Sequence, residues 1–116
     1  MTLQEINLMM AEMTSEANLT DYTYYQFAEG SAPNLPYVIF YYPGSNNEGA
    51  DNTVWSHISA LNIELYTDNK DFARENVIEA VLERHGFFYA KTEQYIQDEK
   101  MYEILYQMEV VIDGQN

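Results

Sequence analysis

Residues 61–86 read LNIELYTDNKDFARENVIEAVLERHG, and FFYAKTEQYI (87–96) and DEKMYEILYQMEVVI (98–112) follow. Along this stretch the period of the apolar residues changes from two to 3.6 and back to two. That change predicts a strand, a helix and a hairpin of two strands, with few residues between them. The stretch contains no motif with known chemistry, so the sequence favours a function of shape and surface.

The helix is predicted over residues 68–85, with Asp68 as its N-cap and Asp71 as an acid at the third helical position. His85 and Gly86 are typical of a helix C-terminus. Phe72 lies off the apolar stripe and is expected to fold under the first turn. The stripe comprises Val77, Ile78, Val81 and Leu82. The side chains expected to face elsewhere are Lys70, Glu75, Glu79 and Glu83.

Strong alternation over residues 101–112 predicts a long strand with one apolar face. Its apolar positions are Tyr102, Ile104, Tyr106, Met108, Val110 and Ile112. Residues 87–96 form a weaker strand, joined to it by a polar turn at 97–100. Residues 54–66 form a further long strand, whose alternation slips at 58–61 and predicts a bulge there.

The N-terminal part begins with a helix over residues 1–17, in which Thr2 and Glu5 form a capping box. Its apolar seam comprises Leu3, Ile6, Met9, Met10 and Met13. Such a Met-rich face suits either packing on the sheet or docking on a partner as a detachable helix. Residues 22–27 and 37–42 are predicted strands, and residues 45–52 form the longest loop.

These elements predict an α+β fold, a single domain over residues 1–116 with the order α-β-β-β-α-β-β. The sheet is expected to be largely antiparallel, with the helices packed on one face. The chain lacks cysteine, which excludes disulfides and thiolate metal sites. It begins without a signal-peptide pattern and has no apolar run of transmembrane length, so we expect a soluble protein made inside the cell.

The charge is the outlying feature of the composition, with 19 acidic against 5 basic residues and a net charge of -14. An acidic surface repels nucleic acid and anionic lipid, so specific nucleic-acid binding and membrane binding are not expected. Three explanations of this charge are open: it keeps the protein soluble, it binds a basic partner, or it forms a surface that repels DNA. Eleven tyrosines suit half-buried contacts between proteins.

No catalytic, cofactor-binding or metal-ligating residue is predicted. His57 and His85 lack the spacing of a metal site and are expected to be surface or capping residues. Carboxylate pairs can be drawn, Glu64 with Asp68 or Glu103 with Glu109, but nineteen acids produce such pairs by chance. Residues 48–52 miss the EF-hand spacing, and no glycine-rich phosphate-binding motif occurs.

Several segments, taken in order, resemble the head–tail joining and tail-completion (tail-terminator) proteins of long-tailed phages. The segments are 35–42 (LPYVIFYY), 51–52 (DN), 62–71 (NIELYTDNKD), Glu75, Ile78, Glu79, Leu82, 95–96 (YI) and 99–101 (EKM). The resemblance implies a non-enzymatic virion protein at the tail or neck, made in the host cytoplasm, without cofactors. It also implies a ring, commonly of six copies, that contacts the tail tube and the head connector while DNA passes through.

The residues expected at subunit contacts are Tyr41, Tyr42, Asn46, Asn47, Glu48, Asp51 and Trp55. Trp55 is the only tryptophan and follows the 45–52 loop, so it is either an interface residue or a core aromatic. Two other functions stay open at this stage. One is a small acidic inhibitor or DNA mimic that binds a basic surface, and the other is a small enzyme, for which no residue set is apparent.

Overall fold

Two helices and seven strands make up the described part of the chain. The structure, a computed structural model, describes residues 1–50 and 53–113, with the backbone alone for residues 48, 50 and 53–56. In chain order the elements are α1 (Leu3–Glu16), β1 (Tyr22–Tyr24), β2 (Tyr37–Tyr41), β3 (Glu48–Ala50), β4 (Thr53–Ser56), β5 (Ile58–Thr67), α2 (Phe72–Arg84), β6 (Tyr89–Ile96) and β7 (Met101–Val111).

Five of the strands form one sheet in the order β1-β2-β5-β7-β6. β1 runs parallel to β2, and the other three pairs are antiparallel. β3 and β4 form a separate antiparallel hairpin between β2 and β5. The main sheet and the two helices confirm the predicted α+β fold, its largely antiparallel sheet and the order α-β-β-β-α-β-β.

The core lies between one face of the sheet and both helices. Registered neighbours carry its apolar side chains across the sheet: Val38 pairs with Leu65, and Leu65 with Ile104. The sheet contributes Val38, Phe40, Leu61, Ile63, Leu65, Ile104, Tyr106, Met108 and Val110, and the helices contribute Ile6, Met9, Met10, Met13, Ile78, Val81 and Leu82. The alternation predicted for residues 101–112 is therefore confirmed by burial along β7.

Helix α1 begins with the predicted capping box. The Thr2 hydroxyl accepts from the Glu5 amide at 3.1 Å, and the Glu5 carboxylate accepts from the Thr2 amide at 2.8 Å. Its methionines are buried in the core, which confirms a helix packed on the sheet. Leu3, at the start of the predicted seam, is instead exposed.

Helix α2 begins later than predicted, because Asp71 and not Asp68 is its N-cap. The Asp71 carboxylate accepts from the Arg74 backbone amide and from the Arg74 Nε, both at 3.0 Å. Asp68 is exposed at the end of β5. The predicted C-terminus is confirmed: His85 is the C-cap, and Gly86 follows with φ 81°, which glycine adopts without a steric cost.

Two side chains of α2 lie opposite to expectation. Glu75 does not face solvent: it is 1% exposed, with its carboxylate within 2.9 Å of the Lys70 Nζ and within 2.8 Å of the Lys91 Nζ. Phe72 does not fold under the first turn: it is 68% exposed, and the Lys70 Nζ lies 4.6 Å from its ring centroid. The two lysines stabilise the buried charge, so the first turn needs no aromatic cover.

The region before α2 also departs from the prediction. Residues 54–66 are not one bulged strand: β4 ends at Ser56, His57 interrupts the pairing, and β5 then pairs with β7 without a break from Ile58 to Thr67. Residues 45–52 are not wholly loop, because they contain β3 and a bridge from Ser45 to Ser59. The strand predicted at 22–27 ends at Tyr24, because Tyr25 adopts φ 71°.

The N-cap assignment predicts different costs for two neighbouring aspartates. Asp71→Ala should lower the free energy of unfolding by about 1 kcal/mol, because it leaves helix amides without an acceptor. Asp68→Ala, the matched control, should change it by less than about 0.5 kcal/mol, as for other surface substitutions. Urea unfolding followed by circular dichroism measures both values. Equal losses in the two variants would contradict the assignment.

The buried carboxylate gives a second stability prediction. Replacing Lys70 and Lys91 together by Met should cost about 3–5 kcal/mol, since it leaves the charge of Glu75 buried without a cation. Either single replacement should cost less, because the other lysine still reaches the carboxylate.

Lys100→Met is the control, because Lys100 lies in the exposed 97–100 turn. Urea unfolding at neutral pH compares all four variants. A double variant as stable as the control would show that the ion pairs do not stabilise α2 on the sheet.

Candidate interaction surface

Both helices of the described part of the chain pack on one face of the sheet, and we call the opposite face the open face. Side chains alternate between the two faces of each strand. The residues that lie between successive core residues along a strand therefore point to the open face. The open face carries Tyr37, Ile39 and Tyr41 on β2, Asn62, Glu64 and Tyr66 on β5, Glu103, Leu105 and Gln107 on β7, and Thr92 and Gln94 on β6.

Two carboxylates on the open face are joined through one tyrosine. The Tyr66 hydroxyl lies 2.5 Å from Glu64 Oε1 and 2.8 Å from Glu103 Oε2, so it can donate to either. The Tyr41 hydroxyl donates to the other oxygen of Glu64, and the Gln94 amide donates to the other oxygen of Glu103 at 2.9 Å. Three neutral donors thus serve the four carboxylate oxygens, with the single Tyr66 proton shared between Glu64 and Glu103, and the two negative charges are held without a cation.

The environment of these tyrosines favours their neutral form. Burial raises the pKa of Tyr66 well above its usual range, and its hydrogen bonds to Glu64 and Glu103 raise the pKa further. Burial also raises the pKa of Tyr41, and the hydrogen bond to the Glu64 carboxylate raises this pKa further. A hydroxyl that donates to a carboxylate loses this bond and gains a like charge when it ionises. Both hydroxyls therefore act as fixed donors at neutral pH.

An aromatic pocket of about 360 Å3 lies beside this network. Its ring pairs are Tyr37 with Tyr66 at 5.3 Å between centroids and Phe27 with Tyr37 at 5.1 Å. The lining residues are Tyr25, Gln26, Phe27, Ala32, Tyr37, Ile39, Tyr66, Ile96 and Met101. Burial raises the pKa of Tyr37, and the negative charge of Glu99 raises it further.

The basic side chains lie mostly on the covered side of the sheet. Lys70 and Lys91 bind Glu75, and they also reach Glu93 and Glu79 on the same side. Arg74 pairs with Asp71, and Arg84 with Glu12 and Glu16 of α1. Among the described residues, every buried or half-buried carboxylate has a cationic partner except Glu64 and Glu103.

The predicted contact residues fall into separate places. Tyr41 lies on the open face, whereas Tyr42 packs against the core, with its ring 5.7 Å from that of Tyr24. Burial raises the pKa of Tyr42 to about 12. Tyr41 and Tyr42 are adjacent in sequence but do not share one surface.

The remaining predicted contact residues belong to the β3–β4 hairpin and its base, residues 44–57, which we call the arm. The Asn46 amide donates to the Ile58 carbonyl at 2.8 Å, and the Asn47 side chain accepts from the Ile58 amide at 3.1 Å. Glu48 begins β3, and Trp55 lies within β4, both described by their backbone alone. Asp51 lies outside the described residues. The arm is therefore anchored at the start of β5.

The histidines and the carboxylate pairs drawn from the sequence form no catalytic set in the described residues. His85 caps α2, with its Nε2 3.1 Å from Glu12 Oε1, and His57 is exposed between β4 and β5. Glu64 and Glu103 are joined to each other through the Tyr66 hydroxyl. Their predicted partners, Asp68 for Glu64 and Glu109 for Glu103, are both exposed. Only the strand register could have revealed this pairing, because the two glutamates are 39 positions apart.

No group of three or more His, Cys, Asp and Glu side chains suited to a metal ion occurs in the described ranges, 1–50 and 53–113. Within the same ranges, neither helix has the length and apolar character needed to cross a membrane.

Comparison with solved structures finds a similar fold in a chain of the virion of a native gene transfer agent particle. The TM-score is 0.65 and the sequence identity 12%, and the match covers 97% of this chain and 96% of that one. A scan of protein-family models and a search of curated proteins gave no match. The likeness establishes a shared fold along nearly the whole chain.

The tyrosine environment predicts a loss of stability at alkaline pH. The unfolded chain releases the tyrosine proton near pH 10, whereas folded Tyr66 retains it, so the stabilisation is complete below pH 10 and declines above it. Tyr66→Phe should make the fall in unfolding free energy between pH 10 and 11.5 shallower, by at most about 1.4 kcal/mol per pH unit.

Urea unfolding of both proteins across pH 7–11.5 measures these slopes. The range from pH 7 to 9 is the internal control, because there Tyr66 is protonated in both states and the two curves should run parallel. Parallel curves above pH 10 as well would contradict a raised pKa at Tyr66.

Proposed function

We propose that this protein is a structural component of a phage-like virion that acts at the head–tail junction. It assembles there as a ring, six copies in the simplest form, that completes the tail and contacts the tail tube and the head connector. The ring has no enzymatic activity, and DNA passes through it. The observation that carries the proposal is the fold match along nearly the whole length of a virion-particle chain.

The ordered sequence resemblance to tail-completion proteins supports the same function independently. The segments that carry it include residues 35–42 and 62–71, which form β2 and most of β5 in the middle of the sheet. They also include Glu75, Ile78 and Leu82, which form part of the buried face of α2. The resemblance therefore falls on the framework of the fold.

Two features of the structure suit a ring. β6 is an edge strand of eight residues, which within residues 1–50 and 53–113 pairs with β7 alone, so its other edge offers backbone groups to which a neighbour can bond. The arm forms a second sheet, separate from the main one and bonded to the start of β5, and can serve as a second contact element. A closed ring needs two different patches on each subunit, and these two features can supply them.

We assign the subunit contacts to the arm, through Asn46, Asn47, Glu48, Asp51 and Trp55, together with the tyrosines at the end of β2. Tyr41 contacts the neighbour from the open face. Tyr42 contributes from the other side of the sheet, where it supports Tyr24, whose ring is 51% exposed.

The position in the particle can be tested by labelling. An epitope tag at the C-terminus allows gold-labelled antibody to be located on purified particles by electron microscopy, with untagged particles as the control. Label at the neck, together with the protein in the particle proteome, is the expected result. Label at another place in the particle would contradict the junction, and absence from particles would contradict the virion function altogether.

The contact function of the arm predicts that Trp55→Ala impairs assembly more than folding. Loss of a hot-spot aromatic should weaken subunit association by about thirtyfold, or roughly 2 kcal/mol. The measurements are incorporation of the tagged variant into particles and its urea unfolding curve by circular dichroism. Leu8→Ala, which truncates a 60% exposed side chain on α1, is the control.

A Trp55→Ala variant that folds and assembles normally would remove this residue from the contact. A variant that loses stability and assembly to the same degree would identify Trp55 as a core residue.

The alternative function, an acidic inhibitor or DNA mimic, rests on the net charge of -14. It predicts a monomer or dimer that is absent from particles and whose binding to a basic protein collapses with salt. The labelling experiment separates the two functions, because only a virion component remains with the purified particle.

A further inference from the structure

The aromatic pocket and the two carboxylates meet at Tyr66 on the open face. The Tyr66 ring lines the pocket together with Tyr25, Phe27 and Tyr37, and its hydroxyl lies between Glu64 and Glu103, which flank the pocket without lining it; these residues define one surface. We propose that this surface binds an arginine side chain presented by a segment of a different protein. The proposal goes beyond the virion function and does not rest on it.

The aromatic walls fit a guanidinium. Arginine stacks on the faces of aromatic rings, because these faces carry negative charge and the guanidinium is planar and weakly hydrated. Tyr25 is 61% exposed, so its ring is accessible from solvent. The pocket volume of about 360 Å3 lies within the range of roughly 300–1,000 Å3 that is usual for ligand pockets.

The carboxylates fit the charge of the same group. Each carboxylate offers about four lone-pair positions. Tyr41 donates to Glu64, Gln94 donates to Glu103, and the one Tyr66 proton goes to either, so each carboxylate uses at most two positions and can still accept from a guanidinium. The neutral donors fix the orientation of the carboxylates without cancelling their charge, which is the arrangement that a charged ligand requires.

The charge distribution identifies the occupant as foreign. Lys70, Arg74, Arg84 and Lys91 are bound to carboxylates on the covered side of the sheet. A second copy of this chain would have to break one of these ion pairs to offer an arginine, and its remaining basic residue, Lys100, is a point charge without the planar fork of arginine. Both the charge and the aromatic walls favour an arginine from another protein.

Nuclear magnetic resonance of the 15N-labelled chain tests the proposal with N-acetyl-arginine amide as the probe. Addition of the probe to about 50 mM should give saturable shifts at the amides of Tyr37, Tyr66, Gln94 and Glu103. N-acetyl-citrulline amide is the matched control, because it has nearly the shape of arginine without the charge. It should bind about tenfold more weakly or not at all.

Charge-removing variants locate the interaction. Glu64→Gln with Glu103→Gln should weaken arginine binding about tenfold, whereas Asp68→Asn with Glu83→Gln, which changes the net charge equally elsewhere, should leave it unaltered. If the double variant does not fold, Glu103→Gln alone and the citrulline comparison test the same point.

Four outcomes overturn the proposal. The first is equal binding of arginine and citrulline, and the second is an absence of saturable shifts on the open face. The third is self-association through the open face, seen as the same shifts on raising the protein concentration and lost in Lys100→Met, because the occupant would then be a second copy. Binding that survives removal of Glu64 and Glu103 also contradicts the proposed contacts.

Discussion

The carboxylate of Glu75 is buried beneath α2, and the contacts of Lys70 and Lys91 with it fix how α2 lies on the sheet. A buried charge without a partner is costly, so these two lysines cannot be released to solvent without destabilising the helix. Lys70 comes from the loop before α2 and Lys91 from β6. The ion pairs therefore connect the loop before α2, α2 itself and β6 through the carboxylate of Glu75.

This constraint determines where the remaining charge lies. The chain has five basic residues, and four of them bind carboxylates on the side of the helices. The acids of the open face must then be satisfied by neutral donors, and Tyr41, Tyr66 and Gln94 provide them. A protein with abundant lysine could have neutralised this face. Here four of the five basic side chains are held on the other side of the sheet, and neither Glu64 nor Glu103 has a cationic partner among the described residues.

The sequence predicted those parts of the fold in which a single local pattern decides the outcome. The capping box of Thr2 and Glu5, the alternation along β7 and the glycine at the end of α2 are of this kind. The prediction from sequence was wrong where two neighbouring residues could each take the same structural role. Asp68 and Asp71 are both acceptable N-caps, and only the backbone geometry before Phe72 selects Asp71. Glu75 looked like a solvent residue because its burial depends on Lys91, which is distant in sequence.

The open face shows the same limit for function. Alternation alone places Glu64 and Tyr66 on one side of β5, but their meeting with Glu103 requires the register of β5 against β7. Once the register is known, one set of charges has two consequences. A surface with fixed carboxylates and no cation repels the phosphates of a passing nucleic acid, and it attracts the guanidinium of a protein. Both the repulsion of phosphates and the attraction that the proposed arginine site requires would arise from one cause, the placement of the lysines on the other side of the sheet.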